Sequence, residues 1–177
     1  MPIGQRFDAQ KGIEAILYVA RRVPDPSFHR IAKLLYFADK HKLAVYGGLV
    51  VADEYVAMKH GPVPSAVYDL LKCVRGDGMH HAADNARSAF QVVDRCRVAA
   101  LREANMKYFS KADLESLDFA VREFGALPFD ELTRLSHDSA WQSADENEFM
   151  RLEDVARATS APEKALAAVR DRFSIAS

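Results

Sequence analysis

Two prolines within three residues, in Gly61-Pro62-Val63-Pro64, constrain this chain more than any other feature. Proline has no backbone N–H and fixes φ near −65°, and the residue before a proline is pushed into extended geometry. On the N-terminal side, Glu54-Tyr55-Val56-Ala57-Met58-Lys59-His60 reads as extended, with Leu49-Val50-Val51 as a second short strand across a turn at Ala52-Asp53. On the C-terminal side, Val67, Leu70, Leu71 and Val74 recur at helical spacing until Gly76 and Gly78. The corner is therefore expected to force the backbone out of the ladder and to open a helix at once.

Helices surround this segment. Asp8 is a candidate N-cap for a helix with Ala9, Ile13, Ile16, Leu17 and Ala20 on its apolar face, ending before Pro24 and Pro26. Ser27 can cap a second, whose stripe of Ile31, Leu34, Leu35 and Ala38 is widened by Tyr36 and Phe37 and stopped by Gly47-Gly48. So broad a stripe predicts a central helix buried on more than one side. Gly76 to Ser88 reads as a polar loop, and Phe90 to Val93 with Arg97 to Leu101 as a hairpin. Ser110 and Asp113 form a capping-box pattern before Leu114, Leu117, Val121 and Phe124, with Gly125 as the stop. Phe129 to His137 reads as helical, continuing through Ser139 to Ala144, and Ser160 with Glu163 caps a last helix carrying Leu166, Val169 and Phe173. No linker divides the chain, so residues 1–177 are expected to form one domain.

Charge and cysteine usage narrow the function classes. Lys plus Arg number 24 against 25 Asp plus Glu, which gives none of the polycationic character that drives sequence-independent nucleic-acid binding. Basic residues prevail in the first 75 positions and acidic ones afterwards, a mild bipolarity. Two cysteines, Cys73 and Cys96, are too few for a disulfide scaffold or a four-ligand zinc site, and a reducing cytoplasm fits them. No apolar run reaches the roughly 20 residues of a membrane span, and no leader pattern opens the chain. No membrane association is expected.

No residue set assembles a recognisable catalytic site. There is no phosphate-cradling glycine loop and no Gly-x-Ser-x-Gly elbow, and Cys73 lies on an apolar helix edge where a thiol is an inert small hydrophobe. The six histidines, His29, His41, His60, His80, His81 and His137, lack the convergent spacing of a metal site. A structural hydrogen bond is expected for His137 and solvation for His80 and His81. Neither catalytic residues, metal ligands nor a cofactor are assigned.

Lys33-Leu34-Leu35-Tyr36-Phe37-Ala38-Asp39, then Asp53 to Ser65 with Lys59-His60-Gly61-Pro62 at its centre, then Leu101-Arg102-Glu103, Ser110 to Leu117, and Leu135-Ser136-His137-Asp138-Ser139-Ala140-Trp141 follow in an order that resembles the SocA-like antitoxin family, whose domain is also called Panacea. The resemblance extends over about residues 12 to 155. It implies an α+β fold, mainly helical, as a single domain with a small antiparallel sheet. It also implies a non-enzymatic role as antitoxin of a bacterial toxin–antitoxin pair, with a cognate protein toxin as partner. The founding member of the family is similar to a proteolytic adaptor that delivers its toxin to the ClpXP protease, which makes ClpXP a second candidate partner.

A strand ending in Lys59-His60 at a rigid corner presents a cation and an imidazole from a fixed frame, a low-entropy docking surface. Tyr55, Lys59, His60, Pro62 and Trp141 are the candidate partner-binding residues, with Gly61 and Pro64 shaping the turn. The alternative is purely architectural: Gly61 supplies an unusual backbone angle, the prolines set the helix start, and His60 satisfies a carbonyl. Arg30, Lys33, Lys40 and Lys42 read as a solvated face of the second helix, with an acidic partner as the other possibility. A DNA-binding regulator and a metal-dependent hydrolase are the competing function classes. The tail Ser174-Ile175-Ala176-Ser177 is a candidate protease contact or a frayed terminus.

Overall fold

The computed structural model describes residues 7–174, with the side chains of Phe173 and Ser174 outside the description. The expectation for Phe173 and most of the tail expectation therefore lie outside the described residues. The chain is a mainly helical α+β protein. In order it runs α1 (Ala9–Ala20), α2 (Phe28–Tyr46), β1 (Tyr55–Met58), β2 (Gly61–Pro64), α3 (Ser65–Arg75), α4 (Ala83–Ala89), β3 (Phe90–Val93), β4 (Arg97–Ala100), α5 (Lys111–Phe124), α6 (Phe129–Ser136), α7 (Ser139–Gln142), α8 (Leu152–Arg157) and α9 (Pro162–Ser174). β1 pairs with β2 and β3 with β4, both antiparallel.

Three of the four helix-start caps read from sequence are present, whereas Ser160 does not cap the last helix, which starts at Pro162 with the Ala165 amide on the Ala161 carbonyl. Asp8 accepts from the Gln10 and Lys11 amides, Ser27 from Arg30, and Ser110 and Asp113 close a reciprocal capping box. Gly47 and Gly76 end α2 and α3 in the left-handed region, where a side chain would be strained. α2 is the axis of the fold: α1, α3, α5, α6, α8, α9 and β2 all pack on it. Ile31, Leu34, Leu35, Tyr36 and Ala38 are without solvent exposure, so the breadth of the stripe does report burial on several sides.

Four further local expectations are corrected. Leu49-Val50-Val51 is not a strand; the partner of β1 is the Gly-Pro-Val-Pro segment itself. The register explains how prolines enter a ladder, because Val63 faces Val56 while Pro62 and Pro64 face Ala57 and Tyr55. Ala57 and Tyr55 turn their polar groups the other way, to the 147–150 segment: the Ala57 amide donates to Glu148, and the Asn147 and Met150 amides to Ala57 and Tyr55. No N–H is required from either proline. Second, the supposed loop contains α4, whose Ala86 and Ala89 are buried while its remaining residues are polar enough to hide the stripe. Third, α7 does not continue α6, since His137 leaves helical geometry and Asp138 caps a new start by accepting from Ala140 and Trp141. α8, which the sequence reading passed over, lies between α7 and α9.

The fourth correction concerns α2. Arg30, Lys33 and Lys42 are buried rather than solvated, and Lys40 is largely so. Each is tied to another part of the chain. Arg30 donates to the carbonyls of Asp25, Gly125 and Leu127, placing a cation at the C-terminal end of α5. Lys42 donates to the Leu49 carbonyl and the Asp113 carboxylate, and Lys40 pairs with Asp138 at 2.6 Å.

Candidate partner-docking surface

The β1–β2 hairpin turns through Lys59 and His60. Gly61 sits at φ +103°, and a Cβ there would press into Ser136 Oγ and come within 2.8 Å of Lys33 Cε. Only glycine satisfies both the angle and the approach. The two strand ends beside the turn are clamped. The Trp141 indole N–H donates to the Met58 carbonyl at 2.9 Å, and Lys33 Nζ to the Pro62 carbonyl at 2.8 Å. His137 stacks on Trp141 with centroids 3.7 Å apart, and its buried Nε2 has no protein partner.

The candidate residues accordingly separate. Tyr55 is buried, donating its hydroxyl to Asp39 at 2.7 Å, and Pro62 and Pro64 are buried as well. Pro64 stands immediately before α3, whose first turn is held by Asp53, a carboxylate accepting from the Glu54, Ala66 and Val67 amides. Trp141 is half-buried. Lys59 and His60 are exposed at the tip. The His60 ring meets the exposed Phe129 edge-on at 5.4 Å, and Phe129 also stacks on His29. A groove of about 390 Å³ opens beside the tip, lined by Ala57, Lys59, Trp141, Gln142, Ala144 and Glu146.

Electrostatics divide the frame from the tip. Burial, with Lys33 and His60 adding like charge, pushes His29 down to about 3. Burial also lowers His137, with Lys33 again opposing its proton. Lys33 itself is lowered by burial to about 7. Burial raises Asp39 to about 6 although Tyr55 and the Val50 and Val51 amides all donate to it. Lys33 and Asp39 resist charge because they are withdrawn from solvent, and the half-buried His29 and His137 because burial and the nearby Lys33 both oppose a proton. Among the described residues, no group of three or more His, Cys, Asp or Glu could hold a metal ion, and no helix is long and apolar enough to cross a membrane.

Sequence reasoning passed over Lys33, Tyr36, Asp39 and Asp138 as working residues. Yet they bind the resembling segments to one another: Lys33 to Pro62, Tyr36 and Lys40 to Asp138, Asp39 to Tyr55. Arg102 grips the buried Glu14 with two nitrogens, and Asp113 receives Lys11 and Lys42. The available signal was a charged residue inside a helix apolar on every side, which must be internal.

No curated protein and no solved structure matches the chain. The family model described as antitoxin SocA-like, Panacea domain matches residues 31–142, from α2 through α7, and thus spans the axial helix, the hairpin and both clamps. The chain belongs to the antitoxin SocA-like, Panacea domain family.

Proposed function

We propose that the chain neutralises a cognate protein toxin by binding it, with the Lys59-His60 tip and the adjoining groove beside Trp141 as part of the contact, and that it acts as a proteolytic adaptor promoting toxin degradation by ClpXP. Family membership supports the antitoxin role. The observation that carries the location is the contrast within one hairpin: Tyr55, Gly61, Pro62 and Pro64 are buried, while Lys59 and His60 are exposed between two clamps. A tip held in one conformation loses little entropy on docking, and Phe129 beside it offers an aromatic anchor. DNA binding has no comparable support, because the basic side chains of α2 are bonded inside the protein rather than ranged along an exposed face.

The test is co-expression with the neighbouring open reading frame, pull-down, and measurement of the neighbour's half-life with and without this chain in cells that have or lack ClpXP. A stable complex with a ClpXP-dependent shortening of half-life is expected. A complex with unchanged half-life would leave neutralisation by masking and remove the adaptor role. Protection from toxicity without a complex would overturn the reading.

A further inference from the structure

The face of the hairpin turned away from the core is a surface in its own right. Val56 pairs with Val63 on one side and bridges Phe149 on the other. Directly paired residues in an antiparallel ladder project from the same face, so these three side chains form one cross-strand row. Tyr55, Ala57, Pro62 and Pro64 occupy the opposite, buried face. Along the outward row Val56 and Val63 are half-buried and Phe149 is 55% exposed.

Carboxylates rim this row. Asp145, Glu146 and Glu148 are exposed on a tight turn closed by the Glu148 amide on the Asp145 carbonyl, and Glu54 is exposed at the start of β1. None of the four is in a salt bridge found among the described residues, whereas the less exposed Glu131 and Asp154 pair with Arg134 and Arg157. The turn is held rigidly: Asn147 adopts φ +69°, its amide donates to Ala57 at 2.7 Å, and Ala57 returns a hydrogen bond to Glu148 at 2.9 Å. Three like charges within four residues repel one another, and a non-glycine residue in the left-handed region adds strain. The backbone bonds preserve both. Such an arrangement favours a cationic counter-surface, which would relieve the repulsion on contact.

We infer that the Phe149–Val56–Val63 row with its Asp145, Glu146, Glu148 and Glu54 rim is a docking surface for a basic protein partner, one presenting lysine or arginine around an apolar centre. The inference rests on the toxin-binding reading above and identifies that partner as the toxin. The apolar row supplies desolvated area, and the carboxylates set orientation and association rate. The groove at Glu146 and Trp141 joins this surface to the Lys59-His60 tip.

The experiment uses the full chain and the purified product of the neighbouring open reading frame, with affinity measured at low and at physiological ionic strength. Charge reversal by Glu146→Lys with Glu148→Lys, at positions exposed in the free protein, is expected to weaken binding at least about tenfold, and raised salt to weaken the unaltered protein. Phe149→Ala is expected to weaken binding about tenfold at either ionic strength. Circular dichroism and thermal melting of each variant distinguish lost contact from lost fold. If the unaltered chain binds and the folded variants bind equally well, or more tightly after charge reversal, the surface assignment is overturned while the toxin-binding reading stands. Absence of binding by the unaltered chain would overturn both.

Discussion

Lys33 Nζ lies 2.8 Å from the carbonyl oxygen of Pro62, and the lysine side chain is withdrawn from solvent. An amino group from the axial helix, donating whether or not it is charged, thereby holds the strand whose prolines could not hold themselves. The two segments are 29 residues apart in sequence, and both lie within the stretch that the family model matches. This contact gives the Lys33-to-Asp39 segment and the Gly61-Pro62 corner a shared physical purpose.

The buried ammonium has a pH consequence. Lys33 is lowered from its ordinary 10.5 to about 7. Between those values the unfolded chain retains a proton that the folded chain has released. Stability therefore rises with pH across that window, with a slope approaching about 1.4 kcal/mol per pH unit from this group. Lys33→Met, which keeps the length and removes the charge, is expected to flatten the rise, read as urea midpoints between about pH 7 and about pH 10. An unchanged slope in the variant would show that Lys33 remains solvated.

Asp39 acts with the opposite sign. Its carboxyl is raised from 3.8 to about 6, so its stabilising contribution is full below the lower value and fades as pH climbs through the upper one. Asp39→Asn keeps an acceptor for the Val50 amide at Oδ1 but puts an amide donor where the Tyr55 hydroxyl now donates to Oδ2, so that hydroxyl must turn to accept. Whatever its cost at acidic pH, its stability relative to the unaltered protein should improve as pH rises from about 4 to about 7. A constant difference across that range would contradict the assignment.

Gly61→Ala combines a strained backbone angle with a collision against Ser136 and Lys33. The expected cost is about 2–4 kcal/mol of unfolding free energy, from left-handed strain together with overpacking. Ser136→Ala removes the hydroxyl that the new methyl would strike, so Gly61→Ala in that background should cost about 1 kcal/mol less. Strict additivity in chemical denaturation would mean that the clash is relieved elsewhere.

Much of this frame was legible in the sequence, and the misses share a cause. Asp8, Ser27, Ser110 and Gly76 act within a few residues of where they sit, so their patterns identify helix ends directly. The hairpin was misassigned because the freedom of Pro62 and Pro64 to join a ladder depends on where Ala57 and Tyr55 point, which the 147–150 segment decides from far along the chain. The lysines of α2 looked solvated for a related reason: their acceptors, Pro62, Leu49 and Asp113, are brought near only by folding. At the candidate surface, the sequence singled out the Tyr55–Pro64 segment without distinguishing its buried residues from its exposed ones. The carboxylate rim went unread, since acidic residues in a turn are ordinarily just solvated.

The division between frame and tip is tested most directly by Lys59→Ala with His60→Ala, set beside Lys33→Met, each measured for thermal stability and for affinity toward the neighbouring gene product. The tip variant is expected to melt within about 0.5 kcal/mol of the unaltered protein in free-energy terms, as exposed substitutions do, while binding at least about tenfold more weakly. Lys33→Met should change the pH dependence of stability and, once folded, retain the affinity. A tip variant that binds the partner with undiminished affinity would contradict the placement of the contact on this hairpin.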